Sequence, residues 1–149
     1  MNTPKGKKMK KRVCPTCFER SVVPSVIPVH EAEMKHDWSM YKITLYDVPV
    51  NQCEKCQSFN IMDGELEENA LRKAAGILFP NEIRDIREKL NLTVEDFAKT
   101  IGVIPKQLEG FEEGLLYQSK SADILIRLMD HLSEFKDYFK ESIHLNKQK

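Results

Sequence analysis

The chain has no run of 18 apolar residues, no excess of either charge, one tryptophan and six glycines among 149 residues. The missing apolar run excludes a membrane-spanning helix. The lysine-rich start lacks the apolar stretch and small-residue cleavage site of a secretory signal, so a cytoplasmic protein is expected. The absent charge excess removes the simplest argument for nucleic acid, an overall basic protein. There is no Ser/His/Asp set, P-loop or glycine-rich dinucleotide fingerprint, so an enzyme is not expected. What is present, 41% apolar and 31% charged residues, describes a folded globular chain.

Neutrality conceals three pieces. Residues 1–12 hold six basic side chains and no acid; residues 13–80 hold 6 basic and 10 acidic, and residues 81–149 hold 11 and 13. The expected organisation is therefore a basic tail at 1–12, a cysteine-bearing module with a linking helix at 13–80, and a helical domain at 81–149. The tail has nothing periodic to pack, and either contacts phosphates or merely solvates the chain.

Within 13–80, Cys14-Pro15-Thr16-Cys17 and Cys53-Glu54-Lys55-Cys56 form two C-x-x-C pairs 35 residues apart. Two intervening residues let a tight turn aim both sulfurs at one point, and two such turns complete the four ligands of a structural Zn²⁺ site with no open position for catalysis. A pair of redox dithiols is the competing reading, although such motifs usually occur singly before a helix. The segment between the pairs is β-like, with Val22-Val23, Val26-Ile27 and Tyr41–Tyr46, broken by Pro15, Pro24, Pro28 and Pro49. Short strands and turns, with an extended hairpin projecting from the knuckles, are expected. His30 and His36 are either solvated or core residues or substitute metal ligands. Trp38 and Tyr41 either form a binding face or pack over the knuckles, and packing is the plainer expectation. Asp63 predicts a helix cap, Leu66, Ala70, Leu71, Ala74, Ile77 and Leu78 its apolar face, and Pro80 its stop.

After Pro80 the period is helical. Asn81 predicts the cap of a helix with Ile83, Ile86 and Leu90 inward, ended by Asn91. Thr93 with Asp96 predicts a second helix carrying Phe97, Ala98 and Ile101, broken by Gly102. Pro105 opens a third with Leu108 and Phe111, ended by Gly114. From about Ser121, Ile124, Leu125, Leu128, Leu132, Phe135 and Phe139 stripe a final helix that can serve as dimer surface.

The stretch from Ile83 through Thr93, with Phe97-Ala98, Ile101-Gly102-Val103 and Phe111-Glu112-Glu113-Gly114, resembles the lambda-repressor-like, Xre-type DNA-binding domain. Taken with the two cysteine pairs, residues 13–130 resemble the MqsA antitoxin family, a YgiT-type zinc domain followed by an Xre-type domain. The resemblance implies an α+β chain: a small zinc-ribbon-like β module with a trailing helix, then an all-α helix-turn-helix domain. It implies zinc on Cys14, Cys17, Cys53 and Cys56. It further implies a partner toxin, an mRNA-cleaving ribonuclease, bound by the zinc domain, and a homodimer repressing its own operon from double-stranded promoter DNA. The recognition helix would be Ile104–Glu113, where Lys106 can reach guanine or phosphate and Gln107 can read adenine. Lys99 and Lys120 are further phosphate candidates. Glu109, Glu112 and Glu113 make that helix acidic, which favours the alternative of a protein-interaction module whose helix-turn-helix no longer binds specific DNA.

Overall fold

Charge balance and apolar periodicity predict one β-rich and one helical part, and the structure, a computed structural model that describes residues 10–131, contains both. Among the described residues four strands, β1 (Arg12–Val13), β2 (Arg20–His36), β3 (Ser39–Cys53) and β4 (Phe59–Ile61), precede five helices. The helices are α1 (Glu65–Ala75), α2 (Pro80–Lys89), α3 (Val94–Ile101), α4 (Pro105–Glu112) and α5 (Lys120–His131). No helix among the described residues is long and apolar enough to cross a membrane.

The chain divides into two compact units. One takes the residues up to Ala32 with Ile43–Ala70; the other takes Glu33–Lys42 with everything from Leu71. The sequence places a boundary at Pro80, whereas the packing divides inside α1 and also assigns the turn end of the β2–β3 hairpin to the helical unit.

The sheet has the order β1-β2-β3-β4, and both outer pairs are antiparallel. The expected short strands are in fact strands of 17 and 15 residues, running through Pro24, Pro28 and Pro49. Proline is tolerated where no neighbouring strand needs its missing N–H. β1 pairs only with Arg20 and Val22, and β4 only with Val50, Asn51 and Gln52, which leaves the middle of the ribbon with open edges among the described residues. Ile43, Val48 and Val50 are the buried apolar residues of β3.

Local chemistry sets the helix limits. Asp63 Oδ1 accepts the Glu65 amide at 3.1 Å, as its capping role requires. α1 then stops at Ala75, short of the predicted Leu78, because Gly76 takes a left-handed φ of 67° and Ile77 N–H bonds back to the Arg72 carbonyl at 3.1 Å. Pro80, expected to stop a helix, instead begins one: it sits at the first turn of α2, with Phe79 and not Asn81 at the cap. Glu82 Oε2 accepts the Phe79 amide at 2.7 Å. Asn91 ends α2 at φ 53°, Thr93 Oγ1 accepts the Asp96 amide at the start of α3, and Gly102 ends α3 at φ 74°.

Leu78, Ile83, Ile86, Leu90, Phe97, Ala98, Ile101, Leu108, Phe111, Ile126 and Met129 form the core of the helical unit. The predicted stripe on α5 is partly misplaced. Ile124 is exposed, while Ala122, Asp123, Ile126 and Met129 face inward. Asp123 fixes that rotation: its Oδ1 accepts the Leu78 amide at 2.7 Å and the Gln118 side-chain amide at 3.0 Å. Leu132, Phe135 and Phe139 lie outside the described residues, as do residues 1–9 of the basic tail.

Candidate metal centre and helical surface

Each cysteine pair sits in a turn of the same design. Cys14 N–H bonds to the Glu19 carbonyl at 2.8 Å, and Phe18 N–H returns to the Cys14 carbonyl at 2.9 Å. In the second turn, Cys53 N–H bonds to the Ser58 carbonyl at 2.8 Å, and Gln57 N–H returns to the Cys53 carbonyl at 3.0 Å. Phe18 and Gln57, each directly after the second cysteine, have positive φ of 60° and 63°. A left-handed residue there lets the chain reverse immediately and bring both sulfurs to one side.

The two turns face each other. All four sulfurs, of Cys14, Cys17, Cys53 and Cys56, lie within 4.8 Å of one another. Cys14 Sγ stands 3.6 Å from Cys56 Sγ, and Cys17 Sγ stands 3.6 Å from Cys53 Sγ. Those separations match the edge of about 3.7 Å of a tetrahedron with metal–sulfur bonds near 2.3 Å, and far exceed the bond of about 2.05 Å in a disulfide. Convergence of four thiols on one point is what a metal needs and what two independent dithiols do not. The residues therefore fit a four-thiolate metal ion.

Neighbours prepare the sulfurs for negative charge. Ser58 Oγ lies 3.4 Å from Cys14 Sγ and 3.0 Å from Cys56 Sγ, and Ser21 Oγ lies 3.0 Å from Cys53 Sγ. Amides of Thr16 and Cys56 point at Cys14 Sγ (3.4 Å) and Cys53 Sγ (3.5 Å). The Ser58 contact, with the backbone amides, brings the Cys14 thiol down to about 5. Backbone and Ser21 hydrogen bonds lower Cys53 as well. The backbone contact at Glu19 pulls Cys17 down, but desolvation and the three neighbouring sulfurs outweigh it, and this thiol is pushed up to about 12. Four thiolates so close repel one another, so without a cation Cys17 keeps its proton. Outside the cluster, Lys55 Nζ meets Glu19 Oε1 at 2.6 Å and Lys11 pairs with Glu54, each tying one turn to the other.

Sequence reasoning missed Ser21 and Ser58. The signal was the offset between the turns: Ser58 follows Cys56 by two residues, at the position Glu19 holds in the first turn. Neither histidine joins the cluster. His30 bonds to Glu67 Oε1 at 3.2 Å and meets the edge of Phe59, while His36 is buried against Tyr41 and Tyr117 in the helical unit. Trp38 does not pack over the cysteine turns as expected. It is 96% exposed at the β2–β3 turn, in a segment that belongs to the helical unit.

No protein-family model and no curated protein matches this chain. The chemistry of the second surface thus rests on its own residues.

α3 and α4 pack through the Gly102 turn, burying Phe97, Ala98, Ile101, Leu108 and Phe111. Lys99 on α3 and Lys106 and Gln107 on the first turn of α4 are all exposed. Gln107 Oε1 accepts the Ile104 amide at 3.3 Å, while Ile104 itself has no side-chain acceptor to offer the first turn of α4. Lys120 stands apart from α4 in sequence and opens α5, its ammonium 5.3 Å from the centre of the Tyr41 ring.

The acidity assigned to α4 needs correction at one residue. Glu112 is buried, 6% exposed, and turned toward α2. Arg87 Nε and Nη2 donate to its two oxygens at 2.6 and 2.8 Å, and Arg84 Nη2 donates to its carbonyl at 2.8 Å. A carboxylate inside a helix pair is retained only with such a partner, and the fork of Arg87 matches it in both oxygens. The Glu112 hydrogen bond in turn raises the Arg87 guanidinium above its ordinary value. Only Glu109 and Glu113 remain on the outer side. Gly110 is buried as well: a Cβ there would stand 2.7 Å from Leu116 Cδ1, so the exposed Leu116 side chain would have to move to admit it.

Proposed function

We propose that the protein is a DNA-binding transcriptional regulator in which α3, the Gly102 turn and α4 act as a helix-turn-helix and the four cysteines hold a structural Zn²⁺. The observation that carries this reading is the inward Glu112–Arg87 pair. It removes one of three acids from the face that would meet phosphates and leaves Lys106 and Gln107 on the first exposed turn of α4. The N-terminal part of a recognition helix is the part that reaches base edges. Lys106 would contact guanine or phosphate, Gln107 adenine, and Lys99 a phosphate. Gln107 can read adenine only if its carbonyl leaves the Ile104 amide.

Zinc is the metal of choice because four thiolates in a closed tetrahedral set suit a soft cation and leave no site for substrate. The same reading extends to an antitoxin-like autorepressor: a homodimer on a palindromic operator, with a ribonuclease toxin as the partner of the cysteine module. Its support is the order of the cysteine pairs and the helices along the chain.

The test is mobility shift of the chain's own promoter fragment at about 50 mM salt, where phosphate contacts are strong. Lys106→Ala and Gln107→Ala should each lose base preference by about 1–3 kcal/mol. Absence of any shift at that salt refutes the DNA reading. Glu109 and Glu113 on the outside of α4 and the bare indole of Trp38 favour a second reading, a protein-interaction module, which predicts a stable partner from the host lysate and no promoter binding.

A further inference from the structure

β2 begins at Arg20, three residues after Cys17, and β3 ends on Cys53, so the two cysteine turns hold the open end of the hairpin. Its closed end, Glu33–Lys42, packs within the helical unit. There Asp37, at φ 51° in the turn, sets its Oδ2 2.8 Å from the backbone N–H of Lys120. Lys120 is the first residue of α5, and opening amides of a helix have no partner inside it. Ser119 Oγ takes the Ala122 amide at 3.2 Å; Asp37 takes the Lys120 amide from 83 residues away, placing a carboxylate at the positive end of the helix.

The surroundings hold the turn in place without saturating it. His36 is 95% buried between the Tyr41 and Tyr117 rings, at 6.4 and 6.0 Å. Arg72 stands over Tyr117 at 4.8 Å and Lys120 over Tyr41 at 5.3 Å. Among the described residues His36 Nε2 has no hydrogen-bond partner, its approach to Asp37 Oδ2 being 3.8 Å. An unsatisfied buried nitrogen beside the Asp37 cap costs stability there. A two-stranded ribbon is marginal by itself and depends on its fixed ends.

We propose that the hairpin is a metal-dependent clamp on α5: four thiolates gathered on a metal ion hold its open end, its turn then caps the helix through Asp37, and loss of the metal releases the cap. The clamp rests on the four-thiolate metal site and is independent of DNA binding.

Amide exchange on the zinc-loaded full chain tests it. Asp37→Gly keeps the positive φ without strain and removes the acceptor. With zinc content unchanged, this variant should exchange its Lys120, Ala122 and Asp123 amides about tenfold faster, while Phe97 and Ala98 of α3 keep their rates. Chelation of zinc from the unmodified chain should accelerate the same α5 amides by a similar factor. If Asp37→Gly leaves them within about twofold, the cap carries nothing and the proposal falls. If Asp37→Gly accelerates them but chelation does not, the metal dependence is wrong and the proposal falls equally. The variant retains its metal, so general unfolding of a metal-free chain cannot imitate its result.

Discussion

The two units solve the same problem, holding a short chain in one conformation, with different means. Among the described residues the cysteine unit buries Ile43, Val48 and Val50 beside Cys14 and Cys53, too little apolar surface to offset the ordering of about fifty residues. Its organising centre is a set of four sulfurs that attract nothing until a cation sits among them. The helical unit buries an eleven-residue apolar core and adds internal polar ties: Asp123 to the Leu78 amide, Gln118 to the Leu78 carbonyl, and Arg72 to the Gly114 carbonyl. Its order comes from packing and satisfied hydrogen bonds, and needs no ion for its core.

The sharpest way to break this contrast is Cys53→Ser. Removing one thiolate from the cluster should abolish tight metal binding, a loss on the scale of the roughly 10–16 kcal/mol that structural zinc supplies to small modules, and with it the dispersed amide signals of β2–β4. The α2–α4 signals should survive, with changes confined to the first turn of α5. Collapse of all signals together would make the units one cooperative body. The converse substitution, Phe97→Ala, empties a fully buried ring site and should destabilise the helical unit by about 3–5 kcal/mol in denaturant titration, leaving zinc stoichiometry intact.

The smallest effect is the pH dependence of metal affinity. With Cys17 raised to about 12, that sulfur is protonated near neutrality in the metal-free chain and must release its proton on binding. Apparent affinity should therefore fall as the pH drops from 8 to 6, by about tenfold per pH unit for this proton alone. Cys14, lowered to about 5, takes up its own proton only around and below that pH and steepens the fall there. Competition against a chromophoric chelator measures the slope, and a flat profile would contradict the assignment.

How much of this was legible in the sequence follows the same division between local and distant causes. The cysteine pairs, the Thr93 cap, and the ends at Asn91, Gly102 and Gly114 are short-range signals, and each stands where its chemistry predicts. Gly76 and the opening role of Pro80 were equally local, but Ile77 and Leu78 extended the apolar period past Gly76 toward Pro80; both are buried after the helix has ended. The inward turn of Glu112 and Asp123 could not be read from period, because their partners Arg87 and Leu78 lie 25 and 45 residues away. The docking of Asp37 on α5 spans 83 residues and has no sequence signature. Polar residues at core positions are where pattern reading fails, since it assigns them to solvent before any partner is known.

The long ribbon carries one more consequence. Among the described residues, β1 and β4 cover only the ends of β2 and β3 and leave most of their outer edges without a further strand, the geometry by which strands of separate molecules join and aggregate. Pro24 and Pro28 remove donors from one strand and Pro49 from the other, while Glu31, Glu33, Lys35 and Lys42 set exposed charges along the same stretch. Pro24 and Pro28, which argue against long strands by propensity, thus weaken the pairing of such strands with further copies.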